Sequence, residues 1–276
     1  MGNKRTAIIA IALYLMPCIV CGQSTADDWI ARGMGYDSRN LFDSAAVCYR
    51  QVLAIDSLNV EAGWRLGAAY SKMDSVRQAI DQCMRVIEID RKCKDVYYVI
   101  GSVFYAQGSY KSAEEYLRRA TEFGGPGFVT AWCRLGESYL SLGDTSQAER
   151  CFQSVIENDE SFQRAYFHMG EISRSQGKHA QAVEWYGQAV RKFPLYPEAL
   201  FAMARSYVAL ANLKGAIDCL RKVVRMTPED KEAHYLLGKC EFQNGESDKA
   251  ARSLRRALAI DPAYAEAETL LSMIEG

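Results

Sequence analysis

Proline is scarce in this chain, histidine scarcer, and neither sign of charge predominates. Six prolines in 276 residues leave room for long uninterrupted helices. There is no Asp-Gly hairpin turn and no sustained period-two alternation of β-branched residues, so strands are not expected. With 33 basic residues against 34 acidic ones and no long run of either, a nucleic-acid stripe or a polybasic membrane patch is excluded. Three histidines, His168, His179 and His234, lie in different segments without a second ligand at i+4, so no metal site is expected. No Gly-x-Ser-x-Gly elbow, His-Glu-x-x-His pair or phosphate loop after a strand occurs, and neither a catalytic residue nor a cofactor is assigned.

What is present begins with an unusual first stretch. "MGNKRT" is a short basic start, "AIIAIALYLMPCIV" is an uncharged run over 7–20, and "VCGQS" offers small residues suited to cleavage after Gly22. Residues 1–22 are therefore expected to be an export signal. A retained anchor is the second reading, since the run is short of the ~20 residues of a bilayer span. Lipidation at Cys21 and myristoylation at Gly2 are weaker alternatives. The expected location is outside the cytoplasm, periplasmic or membrane-tethered if the source is bacterial, with the membrane touched only through this segment.

Nearly the same ten residues, "LAIDSLNVEA" and "LAIDPAYAEA", occur at 53–62 and 258–267. A repeated unit must reuse its joints, and the separation of 205 is six periods of 34 plus one residue. The period is visible at Gly33, Gly67, Gly101, Gly136, Gly170, Ala204 and Gly238. Twelve residues after each comes an alanine, Ala45, Ala79, Ala113, Ala148, Ala182, Ala216 and Ala250. The extra residue falls in "FGGPGF" at 123–128, which reads as a flexible hinge between helices. Each period carries two amphipathic segments. Ala62, Leu66, Ala69, Tyr70 and Met73 recur at three- and four-residue steps, as do Val76, Ala79, Ile80, Cys83, Val86 and Ile87. Gly108, Gly143, Gly177 and Gly245 sit in the turns between paired helices, and Pro194, Pro228 and Pro262 stand where a helix should stop.

"WCRLGESYLSLGDTSQAERCF" at 132–152 carries the Trp, Leu, Gly, Tyr, Ala and Phe of the tetratricopeptide repeat, and the chain resembles that family from Ala26 to Tyr264. The resemblance implies an all-α, right-handed α-solenoid of seven helix-turn-helix units, 26–59, 60–93, 94–127, 129–162, 163–196, 197–230 and 231–264. A capping helix would follow at 265–276. Departures from the motif are Arg32, Ser173, Ala204 and Glu241, each expected to weaken packing locally. Seven cysteines would remain after cleavage, an odd number that fits poorly with an oxidised framework, and most read as small core residues. A Cys48–Cys83 bridge between neighbouring helices is a conceivable pairing, against the reading of core thiols.

In proteins similar to this one the fifth repeat position faces a concave groove. Here it holds Ile30, Trp64, Tyr98, Cys133, Phe167, Phe201 and Tyr235. Nearby groove positions add Tyr105, Leu140, Phe242, Glu171, Arg174, Arg205 and Lys239. The resemblance implies an aromatic ladder for a peptide or partner helix, against the alternative that the rings pack between adjacent helices. The family's clamp for a C-terminal carboxylate needs Lys at the fifth position and Asn at the ninth. Trp64 with Ala68 and Tyr98 with Ser102 do not supply it. The expected role is a non-catalytic protein-interaction scaffold, conceivably in envelope assembly or secretion. The alternatives are a glycan- or substrate-recruiting accessory subunit, for which Phe167, Glu171, Arg174, Phe201 and Arg205 offer polar groups around aromatics, and a self-associating structural protein.

Overall fold

The computed structural model describes residues 25–276, so the export segment, its cleavage after Gly22, the anchor and both lipidation sites lie outside the described residues. Among the described residues there are fifteen α-helices and no strand. The first eight are α1 (Ala26–Asp37), α2 (Phe42–Ile55), α3 (Val60–Lys72), α4 (Val76–Ile89), α5 (Lys94–Ala106), α6 (Tyr110–Gly124), α7 (Val129–Ser141) and α8 (Thr145–Asn158). The rest are α9 (Gln163–Ser175), α10 (His179–Lys192), α11 (Pro197–Ala209), α12 (Leu213–Met226), α13 (Lys231–Gln243), α14 (Ser247–Ile260) and α15 (Ala265–Glu275). None is long and apolar enough to cross a membrane. The chain divides into two compact bodies, one ending at Val103 and one running from Phe104 to Gly276, with the division inside α5.

In the first body, α1 starts with a reciprocal cap. The Thr25 hydroxyl accepts from the Asp28 N–H at 3.2 Å, and the Asp28 carboxylate accepts from the Thr25 N–H at 2.9 Å. Its core joins Ala45, Ala46 and Tyr49 of α2 to Leu66 and Ala69 of α3. Cys48 and Cys83 are both buried free thiols, so the bridge that adjacency allowed is not formed.

The second body repeats one pairing logic. In α12 the fully or nearly buried residues Ala216, Ile217, Leu220 and Val223 recur at helical spacing and meet Leu200 and Ala204 of α11 and Ala233 and Leu237 of α13. Burying a leucine such as Leu220 contributes roughly 2 kcal/mol. The conserved spacing of the small residue has a direct steric cause. A Cβ on Gly170 would lie 2.5 Å from the Tyr186 ring, and one on Gly136 2.8 Å from the Phe152 ring. Two of the polar departures from the motif are hydrogen-bonded. Glu241, 3% exposed, accepts from Arg221 at 2.9 Å and Ser253 at 2.8 Å, and the Ser173 hydroxyl donates to the Met169 carbonyl at 3.0 Å.

The turn between paired helices places one residue in the left-handed region each time. Glycine holds it at Gly143 (φ 80°), Gly177 (φ 74°) and Gly245 (φ 82°), but Ala211 is forced to φ 56°. The joint expected to be a flexible hinge carries hydrogen bonds of its own. Gly125 caps α6, and its carbonyl accepts from the Trp132 indole N–H at 3.0 Å. At the end of the chain α15 lays Ala267 against Leu254 and Ala257 of α14, with Leu270, Leu271 and Ile274 alongside.

Candidate functional site

The residues of α9 that follow the repeat register come out on one face. Phe167, Glu171 and Arg174 are spaced four and three residues apart. On α11 the counterparts of Phe167 and Glu171 are Phe201 and Arg205, with Glu198 three residues before Phe201. Together with Ala202 and with Asp230 and Glu232 at the start of α13, these side chains line a cleft of about 340 Å³ in the second body. All five residues singled out as polar groups around aromatics, Phe167, Glu171, Arg174, Phe201 and Arg205, are brought together there.

Glu171 and Arg174 form a fork, with Nη2 and Nε of the guanidinium donating to the carboxylate at 2.7 and 3.2 Å, and the Tyr186 hydroxyl donates to the same carboxylate. Burial by itself would raise the Glu171 pKa. The hydrogen bonds from Arg174 and Tyr186 outweigh it and hold the carboxyl below its ordinary value. The Tyr186 hydroxyl is pushed up by burial and by that carboxylate. Phe167 is tied into a ring cluster, its centroid 5.4 Å from Tyr196, 5.5 Å from His168 and 5.9 Å from Tyr186. It is thus part wall and part core. Phe201 is partly buried against the α11–α12–α13 core, and Arg205 is exposed.

Three more expected residues share a second, shallower cleft of about 620 Å³. Tyr235, Lys239 and Phe242 of α13 face Glu266, Leu270 and Met273 of α15. Tyr105, on α5, lines neither cleft; the Arg134 guanidinium lies 4.9 Å over its ring and Tyr110 meets it edge-on at 5.5 Å. Leu140 is packed against the α7–α8–α9 core. In the first body Trp64 is half-buried under the Arg65 guanidinium at 4.6 Å, Tyr98 is half-buried and so is Ile30. Cys133 occupies the fifth position yet is 3% exposed, so in its unit that position is interior.

A cluster that the sequence reading missed surrounds Cys133. His168 Nε2 lies 3.0 Å from Glu137 Oε1 and the Cys133 thiol 3.8 Å from the same oxygen, so a histidine does meet two other ligand-type groups. The signal was available, since Glu137 follows Gly136 as Glu171 follows Gly170. What fills the cluster is guanidinium: Arg164 and Arg134 pair with Glu137 at 2.8 and 2.9 Å. Burial would raise the Glu137 pKa, but the His168 hydrogen bond and the two arginine charges overcome it and the net shift is downward. A carboxylate so occupied reads as a buried ion network. The Cys133 thiol is pushed up to about 12 by burial and by Glu137, and burial likewise carries Cys83 and Cys151 to about 12. At neutral pH these are unreactive core thiols.

Comparison with known proteins supplies the family context. The family described by the cilia and flagella-associated protein 70 C-terminal domain matches residues 57–273. The tetratricopeptide-repeat-containing protein MJ1428 of Methanocaldococcus jannaschii is 21% identical over 170 residues, a match that spans 50% of this chain and 30% of that relative's length. Among solved structures, PilF of Pseudomonas aeruginosa is similar with a TM-score of 0.68 at 19% identity, covering 80% of this chain and 97% of its own. YrrB, a tetratricopeptide-repeat protein with an unusual peptide-binding site, is similar with a TM-score of 0.54 at 19% identity over 67% of this chain and 95% of its own. At these identities the likenesses establish the fold, an all-α helical-repeat solenoid.

Proposed function

The chain belongs to the tetratricopeptide-repeat family of the cilia and flagella-associated protein 70 C-terminal domain, and from that premise we propose that it is a non-catalytic scaffold that holds a peptide or partner helix in the cleft between α9, α11 and α13. The reading includes seven tandem units, export by the first 22 residues, and service in envelope assembly or secretion. Its partners are proteins or peptides, with no nucleic acid, and a homo-oligomer is compatible with it.

The observation that carries this reading is the convergence of Phe167, Phe201 and Arg205 on one opening beside a self-paired Glu171 and Arg174. A concave opening with two rings among several charged groups suits the side chains of a partner. The glycan alternative loses two of its expected polar groups on the same geometry, because Glu171 and Arg174 pair with each other, although Glu198, Asp230 and Glu232 join the lining. A cross-linked pull-down from the native cell envelope tests the proposal, with the wild type beside Phe201→Ala. Partners lost in the variant while its thermal unfolding still shows one cooperative transition are the expected result. The same partners captured by both proteins would move the search to another surface.

A further inference from the structure

The charge around the cleft is unbalanced in a way the family relationship does not dictate. Glu171 and Arg174 neutralise each other. What remains on the lining is Glu198, Asp230 and Glu232 against Arg205, two carboxylates in excess. Glu198, Glu232 and Arg205 make no ion pair among the described residues, and Asp230 uses one oxygen to accept from the Ala233 N–H at 3.0 Å, which caps α13. Glu198 and Glu232 stand in the first turns of α11 and α13, where they answer the helix dipoles and still have lone pairs to offer. Phe201 belongs to the same lining.

We propose that the cleft takes a lysine or arginine side chain of a peptide, next to an apolar residue of that peptide. The inference rests on the reading of the cleft as the binding site and names its ligand. An ammonium or guanidinium entering here meets Glu198 and Glu232, and its methylenes lie on the Phe201 ring, where a cation over an aromatic face adds a factor of about two to five. The neighbouring apolar residue covers the Phe167 and Phe201 edges. Arg205 faces the same opening and suits a backbone carbonyl of the peptide. An acidic side chain entering instead would meet two uncompensated carboxylates.

Selection of phage displaying random heptapeptides on the full chain tests this, with counter-selection on Phe201→Ala and on the double variant Glu198→Gln, Glu232→Gln. Both glutamates are exposed, and unchanged circular dichroism and thermal unfolding would verify that the double variant folds. The expected result is enrichment of sequences with Lys or Arg beside an apolar residue, lost on Phe201→Ala. The chosen peptides should bind the double variant about tenfold more weakly, since two solvent-facing pairs are each worth up to a factor of about five. Peptides that depend on Phe201 but carry no basic residue, or bind the double variant equally, overturn the basic-ligand inference and leave the cleft as a binding site. Failure of any enriched peptide to depend on Phe201 overturns the site itself.

Discussion

Glu137 and Glu171 occupy the same repeat position one unit apart, each directly after the small residue that lets paired helices close, yet one is sealed in and the other lines an opening. The Glu137 side chain is 4% exposed and the Glu171 side chain 29%. The next helix decides. Over Glu137 it presents Arg164 and His168, whose guanidinium and imidazole reach the carboxylate and fill the space, with the imidazole stacked on Phe152 at 4.8 Å. Thirty-four residues later the corresponding positions are Glu198 and Ala202. A glutamate brings no cation to Glu171 and an alanine brings no ring, so the cleft stays open. A binding site can thus arise in a repeat protein where the next helix lacks the filler its counterpart supplies, here together with Phe167 in place of Cys133 and Tyr186 in place of Phe152.

The strongest way to break the comparison is to remove what the two units share. Gly136→Leu or Gly170→Leu should destabilise the protein by about 3 kcal/mol or more, because the Cβ would already collide with Phe152 or Tyr186. Denaturant unfolding measures this, and an unchanged midpoint would refute the shared register. Next comes the difference itself. Glu137→Gln should cost about 3 kcal/mol by leaving Arg134 and Arg164 without their carboxylate, whereas Glu171→Gln should cost about 1 kcal/mol because water reaches Arg174 and a glutamine oxygen still accepts from Tyr186. Equal losses in the same assay would erase the distinction between sealed and open sites.

Acid gives the same contrast a second readout. Both carboxyls are held below the ordinary value of 4.5, so their contribution is fully present above about that pH and is lost as the pH falls through the lower folded values. Melting temperature followed from neutral pH downward should drop below pH 4.5 in the wild type. It should drop less in Glu137→Gln, which has one fewer depressed carboxyl to protonate. Exchanging the fillers sharpens the comparison further. Glu198→Arg with Ala202→His copies the sealed unit onto the open one and should weaken peptide capture about tenfold, a loss of ~1.4 kcal/mol, while adding cations near Glu171. Undiminished binding by a folded double variant would place the ligand elsewhere. The smallest effect is expected at the turn, where Ala211→Gly relieves a left-handed alanine at some cost in chain entropy, for a net gain of about 0.5 kcal/mol in unfolding free energy.

How much was legible follows from what each residue needs to know about its neighbours. Gly170 and Ala182 announce a helix pair because their spacing recurs, and the aromatic positions Phe167 and Phe201 are found by the same count. Tyr105 is found by that count too, but the Arg134 guanidinium over its ring is contributed from α7, and no local pattern reports it. Cys133 counts as a groove position and is buried for the same kind of reason. Glu198 and Glu232 look like ordinary first-turn acids and Asp230 like an ordinary helix cap until the cleft shows that they share an opening with Phe201.

The period of 34, the small residues that allow close helix contact and the prolines that end units determined by themselves that this chain is a stack of amphipathic helix pairs, because each of those features is a spacing of residue types that recurs along the sequence. Only the tertiary structure decided which glutamate is sealed and which is available, because that depends on whether the next helix across brings Arg164 and His168 or Glu198 and Ala202 over it, a contact made at a distance of 27 to 31 residues along the chain.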